Sequence, residues 1–204
     1  MRPSLLVALR PEASLSNASS PQRIRVRDTS VMPQKRTARV VLRDVVTSAD
    51  RATVLHLRLG PGQERYLNSI ESIFEEADSE PQGMPHGWSV RDADTDEVVG
   101  FVMISDNIPD PIPEDMVGPY FLWKLLIDES AQRRGYGTAT LDAVIEYVRS
   151  RPGAEVLSTS CSDGPGSPRG FYLGYGFVDT GRVMWGENIL AIDLQPPRPT
   201  SGAS

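Results

Sequence analysis

The chain has 204 residues, with 21 Lys/Arg against 27 Asp/Glu for a formal net charge of −6, and 39% hydrophobic residues. That length and apolar content suit one domain of about 150 residues with extensions. No apolar run approaches the roughly 20 residues of a membrane-spanning helix, and residues 5–9 are too short for a signal-peptide core. Cys161 is the only cysteine, which excludes an intramolecular disulfide and makes a reducing cytoplasm the natural setting.

Charge is unevenly spread. Residues 1–43 carry nine Lys/Arg and two Asp/Glu, a net of +7, whereas residues 44–204 carry twelve and twenty-five, a net of −13. An acidic body repels nucleic acid and attracts cations. Residues 1–37 are rich in Ser, Pro and Arg, without periodicity and without the interleaved aromatics of a nucleic-acid arm; they read as a disordered basic extension. Met32 opens MPQKRTARVVLRDV, the kind of run on which a compact domain begins, so native translation is expected to start there. A native mass that includes residues 2–31 would exclude that expectation.

Residues 38–46 are β-rich and predict the first strand. Thr47-Ser48-Ala49-Asp50 has the form of a capping box with Asp in place of Glu. The helix it opens is expected to reach about residue 59, where Gly60-Pro61-Gly62 stops it. A second helix is predicted over residues 63–78, with Leu67, Ile70, Phe74 and Ala77 on one face and Glu71, Glu75 and Asp78 on another. Like charges spaced this way cost about 0.2–0.5 kcal/mol per pair. The acidic face is either a solvated surface or a carboxylate lip for a cationic substrate.

Residues 88–92 and 98–105 predict a hairpin around Asp94-Thr95-Asp96. Residues 106–119 form a long loop holding four prolines and four carboxylates, Asp106, Asp110, Glu114 and Asp115, and loops of that length are often functional. Residues 120–127 are apolar but for Lys124, without alternation, as befits a strand covered on both faces. Downstream, Leu141, Val144, Ile145 and Val148 recur at i, i+3, i+4, i+7 and predict an amphipathic helix. Residues 155–160 predict another strand and residues 162–169 a polar turn. Residues 178–183 and 189–194 predict two closing strands around Gly186-Glu187, and residues 196–204 a disordered tail. There is no internal repeat.

The junction between the apolar strand and the amphipathic helix is Gln132-Arg133-Arg134-Gly135-Tyr136-Gly137. The first N–H groups of a helix lack partners and carry dipolar positive character, so strand, glycine turn and helix together can hold phosphates. Glycines let the main chain approach an anion closely, and Arg133 and Arg134 add charge there. The Gly-Lys-Ser/Thr ending of a Walker loop is missing, as is the third glycine of a dinucleotide fingerprint.

Q-R-R-G-Y-G after an apolar strand instead resembles the acetyl-CoA pyrophosphate loop of the GNAT superfamily of N-acetyltransferases. Phe171-Tyr172-x-x-Tyr175-Gly176-Phe177, about 35 residues later, is similar to a second motif of that superfamily, F-Y-x-x-x-G-F. The resemblance implies an α/β GNAT fold. That fold is a mixed, mostly antiparallel sheet of six to seven strands, flanked by about four helices and splayed where acetyl-CoA binds. It also implies that Gln132, Arg133, Arg134, Gly135, Tyr136, Gly137 and Thr138 line the pyrophosphate site, and that the backbones of Leu125, Leu126 and Ile127 pair with the pantetheine arm. L-W-K-L-L-I-D, G-P-G-S-P-x-G-F-Y, G-P-G-Q-E and G-E-N-I-L-A-I look closer still to bacterial diamine acetyltransferases, over roughly residues 39–195. The Asn with which many members hold pantetheine after the strand at 155–160 is replaced by Asp163-Gly164-Pro165-Gly166-Ser167.

By the same resemblance, a main-chain N–H near Leu126 would polarise the thioester. Tyr172, protonated at neutral pH with an ordinary pKa near 10, would protonate the leaving thiolate. No base is assigned; a water chain past Ser158 or Ser160 to a carboxylate is one route. Glu71, Glu75 and Asp78 are the candidate contacts to a small cationic amine, of polyamine type or, alternatively, an aminoglycoside or other small amine. A non-catalytic acyl-CoA-binding module is the alternative from another class. Two distant histidines and one cysteine offer no metal-ligand spacing, and Cys161 reads as a small buried residue near the cofactor. Neither nucleic acid nor membrane is expected as a partner, and an exposed edge strand is compatible with a homodimer.

Overall fold

The computed structural model describes residues 38–195. The basic extension, the Met32 start and the C-terminal tail therefore lie outside the described residues. Seven strands form one sheet: β1 (Val40–Asp44), β2 (Pro85–Asp92), β3 (Val98–Asp106), β4 (Tyr120–Ile127), β5 (Val156–Cys161), β6 (Val178–Met184) and β7 (Glu187–Asp193). Their order across the sheet is β1-β2-β3-β4-β5-β7-β6, and every neighbouring pair is antiparallel except β4–β5. A parallel pair needs a crossover, and the helix α3 (Tyr136–Arg149) supplies it. The other helices are α1 (Ser48–Ala52), α2 (Ile70–Ser79) and α4 (Arg169–Tyr175). This is the mostly antiparallel α/β sheet with four helices that the resemblance implied.

Two apolar layers cover the sheet. On one face, Leu141, Val144, Ile145 and Val148 of α3 pack with Val102, Ile104, Leu122 and Leu157. On the other, Ile70, Ile73, Phe74 and Ala77 of α2 pack with Phe101, Met103 and Leu126. Each fully buried aliphatic side chain here contributes about 1.5–3 kcal/mol. The central strands are thus covered on both sides, which is why β3 and β4 read as mainly apolar runs without alternation. Gly100 has no room for a side chain, since a Cβ there would lie 2.4 Å from the Leu126 carbonyl oxygen.

The capping box forms as expected: the Thr47 hydroxyl accepts from Asp50 N–H, and Asp50 accepts from Thr47 N–H at 2.8 Å. The helix it starts is shorter than expected. It ends at Ala52, and the chain continues in tight i+3 turns (Val54 N–H to the Arg51 carbonyl, Leu57 N–H to the Val54 carbonyl) that bury Val54 and Leu57. The predicted helix over 63–78 divides into a single turn, Gln63–Arg65, and α2, which begins only after Ser69 caps it through Ser72 N–H. Among the described residues no helix is long and apolar enough to cross a membrane. Strand β6 is an edge strand, exposed along nearly its whole length.

Candidate functional site

The site begins with an extra residue in β4. Met103 of β3 pairs with Lys124 and Ile104 with Leu122, so Trp123 bulges out of the ladder. Strand β5 pairs with only Phe121 and Leu122 before the two parallel strands part. At the parting, the Thr159 hydroxyl donates to the Leu122 carbonyl at 3.0 Å. Residues 123–127 then have no strand partner on the β5 side.

The bulge decides which backbone groups face this opening. The Leu126 carbonyl points at β3, where it crowds Gly100, and Asp128 N–H donates to Val99 of β3 at 2.9 Å. Because successive residues alternate sides, the N–H and C=O groups of Leu125 and Ile127 face the opening. The Ile127 carbonyl indeed accepts from Gln132 Nε2 at 2.9 Å. The donor expected near Leu126 is therefore not Leu126 itself, whose amide is turned into the sheet; its neighbours present the free edge.

The glycine turn follows. Arg133 and Gly135 have φ of 59° and 92°, and Gly135 is the N-cap of α3. Among the described residues no side chain caps this helix, which leaves its first amides open to an outside acceptor, in a turn of the kind that concentrates N–H groups. A Cβ on Gly137 would come within 3.2 Å of the Phe171 ring. The side chains here divide their roles. Tyr136 is buried and donates its phenol to Asp92, anchoring the start of α3 on β2. Asp92 is drawn down to about 2 by that phenol and by the amides of Thr95 and Asp94. Gln132 bridges Gln63 and β4. Arg134 lies over the Tyr136 ring at 5.3 Å. The groups left without a partner role at this turn are thus main-chain amides, with the two arginines as surrounding charge.

Tyr172 stands where the opening starts. It is buried between Phe171 and Phe177, with ring centroids at 5.4 and 5.5 Å, and its phenol neighbours the Thr159 hydroxyl. Burial pushes the phenol well above its usual range, Thr159 pulls the other way, and the charge of Glu187 pushes it further up. It is a fully protonated donor at neutral pH. Burial likewise raises the thiol of Cys161 on the neighbouring strand.

On the other side of the opening lies a cleft of about 560 Å³. Tyr66, Phe121, Trp123 and Trp185 give it aromatic walls, and Glu76, Glu80, Asp115 and Glu187 oppose the single ammonium of Lys124 in its lining. The bulge sends Trp123 and Lys124 to the same face, where both donate to Glu76 Oε1, at 3.0 and 3.1 Å. Trp185 and Gly186, both at positive φ (54° and 81°), make the tight β6–β7 turn, and the strained Trp185 reaches Phe121 at 5.8 Å. Tyr66 closes one end by donating to the Pro165 carbonyl at 2.9 Å.

Of the acidic residues expected to meet an acceptor, none lines this cleft. Glu71 and Glu75 are exposed, and Asp78 is held by Arg51 at 2.6 Å. Instead Glu76, half-buried on α2, and Glu80, the exposed residue that ends it, are the carboxylates this segment brings to the cleft. Lys124, Glu187 and the aromatic walls were not singled out from the sequence. Trp123, Lys124 and Glu187 do stand within the runs L-W-K-L-L-I-D and G-E-N-I-L-A-I.

The Acetyltransferase (GNAT) family matches residues 51–177 of the sequence, more than half of it and including both the glycine turn and Tyr172. The chain belongs to the GNAT acetyltransferase family. This GNAT protein is accordingly an acetyl-CoA-dependent acyltransferase. Solved structures share its fold. An acetyltransferase from Thermus thermophilus is 20% identical, with a TM-score of 0.52 over 76% of this chain and 97% of that one. An aminoglycoside 6'-N-acetyltransferase complexed with coenzyme A is 18% identical, with a TM-score of 0.53 over 78% and 98%. AtaTR bound with AcCoA is 16% identical, with a TM-score of 0.53 over 76% and 94%. No curated protein sequence matches the chain.

Proposed function

We propose that this GNAT protein transfers the acetyl group of acetyl-CoA to a primary amine of a small, elongated cationic acceptor of polyamine type. The observation that carries the acceptor class is the cleft beside the splayed strands, where four carboxylates face one ammonium between aromatic walls. Carboxylates attract ammonium groups, and aromatic faces accept both the methylene stem and the charge of an alkylamine.

The residues support a seat for acetyl-CoA. The uncapped first turn of α3 and the amides of residues 133–138 would hold its pyrophosphate. The open backbone edge at Leu125 and Ile127 would pair with its pantetheine amides. When bound, it supplies the activated acetyl group. Leu125 N–H, aimed into the opening just past the bulge, offers a hydrogen bond to the carbonyl oxygen as negative charge develops there. Tyr172 donates to the departing sulfur. A direct attack needs no acyl-enzyme, in keeping with the buried, protonated Cys161.

The test is release of free coenzyme A from acetyl-CoA in the presence of spermidine, other linear polyamines, monoamines and an aminoglycoside. Release that depends on a linear polyamine supports the reading. Equal turnover with neutral or anionic amines counts against the cationic acceptor, and acetyl-CoA binding without turnover on any amine makes the chain a binding module.

A further inference from the structure

From the placement of Glu187, Ser160 and Ser162 along the cleft side of β5, we infer that Glu187 is the general base that takes the proton from the acceptor's ammonium, with the two serines positioning it. This rests on the acceptor reading above and adds the residue that reading leaves unassigned.

Four carboxylates line the cleft, and three are unsuited. Glu76 is committed to Lys124 and the Trp123 indole. Glu80 and Asp115 are exposed to solvent, on the end of α2 and on the 107–119 loop. Glu187 differs on each count. It is half-buried and starts β7 directly beside the end of β5. Its Oε2 accepts from the Ser160 hydroxyl and its Oε1 from the Ser162 hydroxyl at 3.1 Å. Neutral hydroxyls fix the carboxylate without neutralising it, so a lone pair remains for a proton.

The alternation of β5 sets the geometry. Ser160 and Ser162 carry Glu187 on one side, while Thr159 lies against Tyr172 on the other. Base and acid thus stand on opposite sides of β5, at the end where β4 and β5 part. Glu187 is also close enough for its charge to favour the protonated forms of both Tyr172 and Cys161. Arg169, Asp163 and Asp179 act with Glu187 on the neighbouring Cys161. Arg169 pairs with Asp163 and Asp179, at 3.4 and 2.6 Å.

The proton count closes. An alkylammonium titrates near about 10, so the acceptor arrives charged. Glu187 removes one proton and frees the nitrogen lone pair. The C–N bond forms and the C–S bond breaks, the sulfur taking the phenol proton of Tyr172. The second nitrogen proton, lost as the amide forms, restores the phenol. The proton on Glu187 then passes to solvent.

The test compares two primary amines of similar shape on the intact protein: a strongly basic alkylamine and a weakly basic analogue already neutral at the assay pH. For Glu187→Gln, kcat with the basic amine should fall about 100-fold or more, the usual size of a general-base contribution. The weakly basic amine needs no base, so its kcat should fall only a few-fold, and this also shows that the variant is folded. Ser160→Ala should give a smaller loss with the same dependence on amine basicity. An equal loss with both amines, or a rise in acceptor KM with kcat intact, would overturn the assignment and leave Glu187 a charge contact. Wild-type protein that releases coenzyme A with no amine would overturn the acceptor reading itself.

Discussion

Tyr172 and Tyr136 show how one residue type serves two ends in this site. Tyr172 is buried with its phenol beside Thr159, where β4 and β5 part, and in the proposed reaction its hydroxyl serves the leaving sulfur. Tyr172→Phe removes only that oxygen, and turnover should fall roughly 10²- to 10⁴-fold while acetyl-CoA affinity stays nearly unchanged. Steady-state kinetics alongside a coenzyme A titration would check this; unchanged turnover would take Tyr172 out of the chemistry. Tyr136 spends its hydroxyl on Asp92, and the bond lowers Asp92 to about 2 while raising Tyr136 above its usual value. A depressed carboxylate stabilises the fold fully above its unfolded pKa of 3.8 and loses that contribution as pH falls through about 2. The raised phenol acts at the other end: its contribution is complete below an unfolded pKa of about 10 and is lost at higher pH. Asp92→Asn should therefore melt below wild type at neutral pH, with the gap narrowing toward pH 2. Thermal midpoints across pH 2–7 measure it, and a gap independent of pH would mean that the Asp92 charge contributes nothing.

At the level of elements, the glycine turn and the bulge do most to shape the site. Gly135 sits at φ 92°, where a side chain is strained by about 1–3 kcal/mol, and a Cβ on Gly137 would press on Phe171. Replacing both with Val should raise the Kd for coenzyme A by roughly tenfold to a hundredfold. Gly153→Ala, a similar strain at φ 65° in open space, should leave that Kd alone. Retained affinity in the double variant, measured by calorimetry, would argue against this turn as the phosphate seat. The turn was legible because glycines, arginines and helix periodicity all lie within one short run. The bulge was not. Nothing in Leu122-Trp123-Lys124 marks an extra residue, since its cause lies in pairing with β3 and in Glu76 of α2. That hidden residue shifts the parity of β4, so the backbone groups of Leu125 and Ile127, and not those of Leu126, face the opening. The late start of α2 was missed for a related reason: Ser69 is a good N-cap, but the apolar pattern upstream continues through Leu67 and masks it.

Across the whole molecule, the order of the strands across the sheet was not read from the sequence, whereas the strands themselves and the burial of β4 on both faces could be foreseen, because strand composition and the α3 stripe are local signals. The acceptor cleft could not, because its walls come from the Tyr66 turn, α2, the 107–119 loop, β4, β5 and the β6–β7 hairpin, which only the folded sheet brings together. What the sequence does disclose is the sign of the field. Residues 44–204 carry a net charge of −13, and the cleft concentrates part of it as four carboxylates against one lysine. Charges in a partly open cleft attract a cation over roughly a Debye length, about 10 Å at 0.1 M salt. The attraction should therefore be salt-sensitive and should scale with the acceptor's charge. Raising ionic strength should increase KM for a polyamine several-fold and barely move it for a monoamine, with kcat steady for both. The comparison separates a cleft that binds by its field from one that binds by shape. If the KM values of polyamine and monoamine rise in parallel, the carboxylates act only as local contacts and the acidic surface has no part in selecting the acceptor.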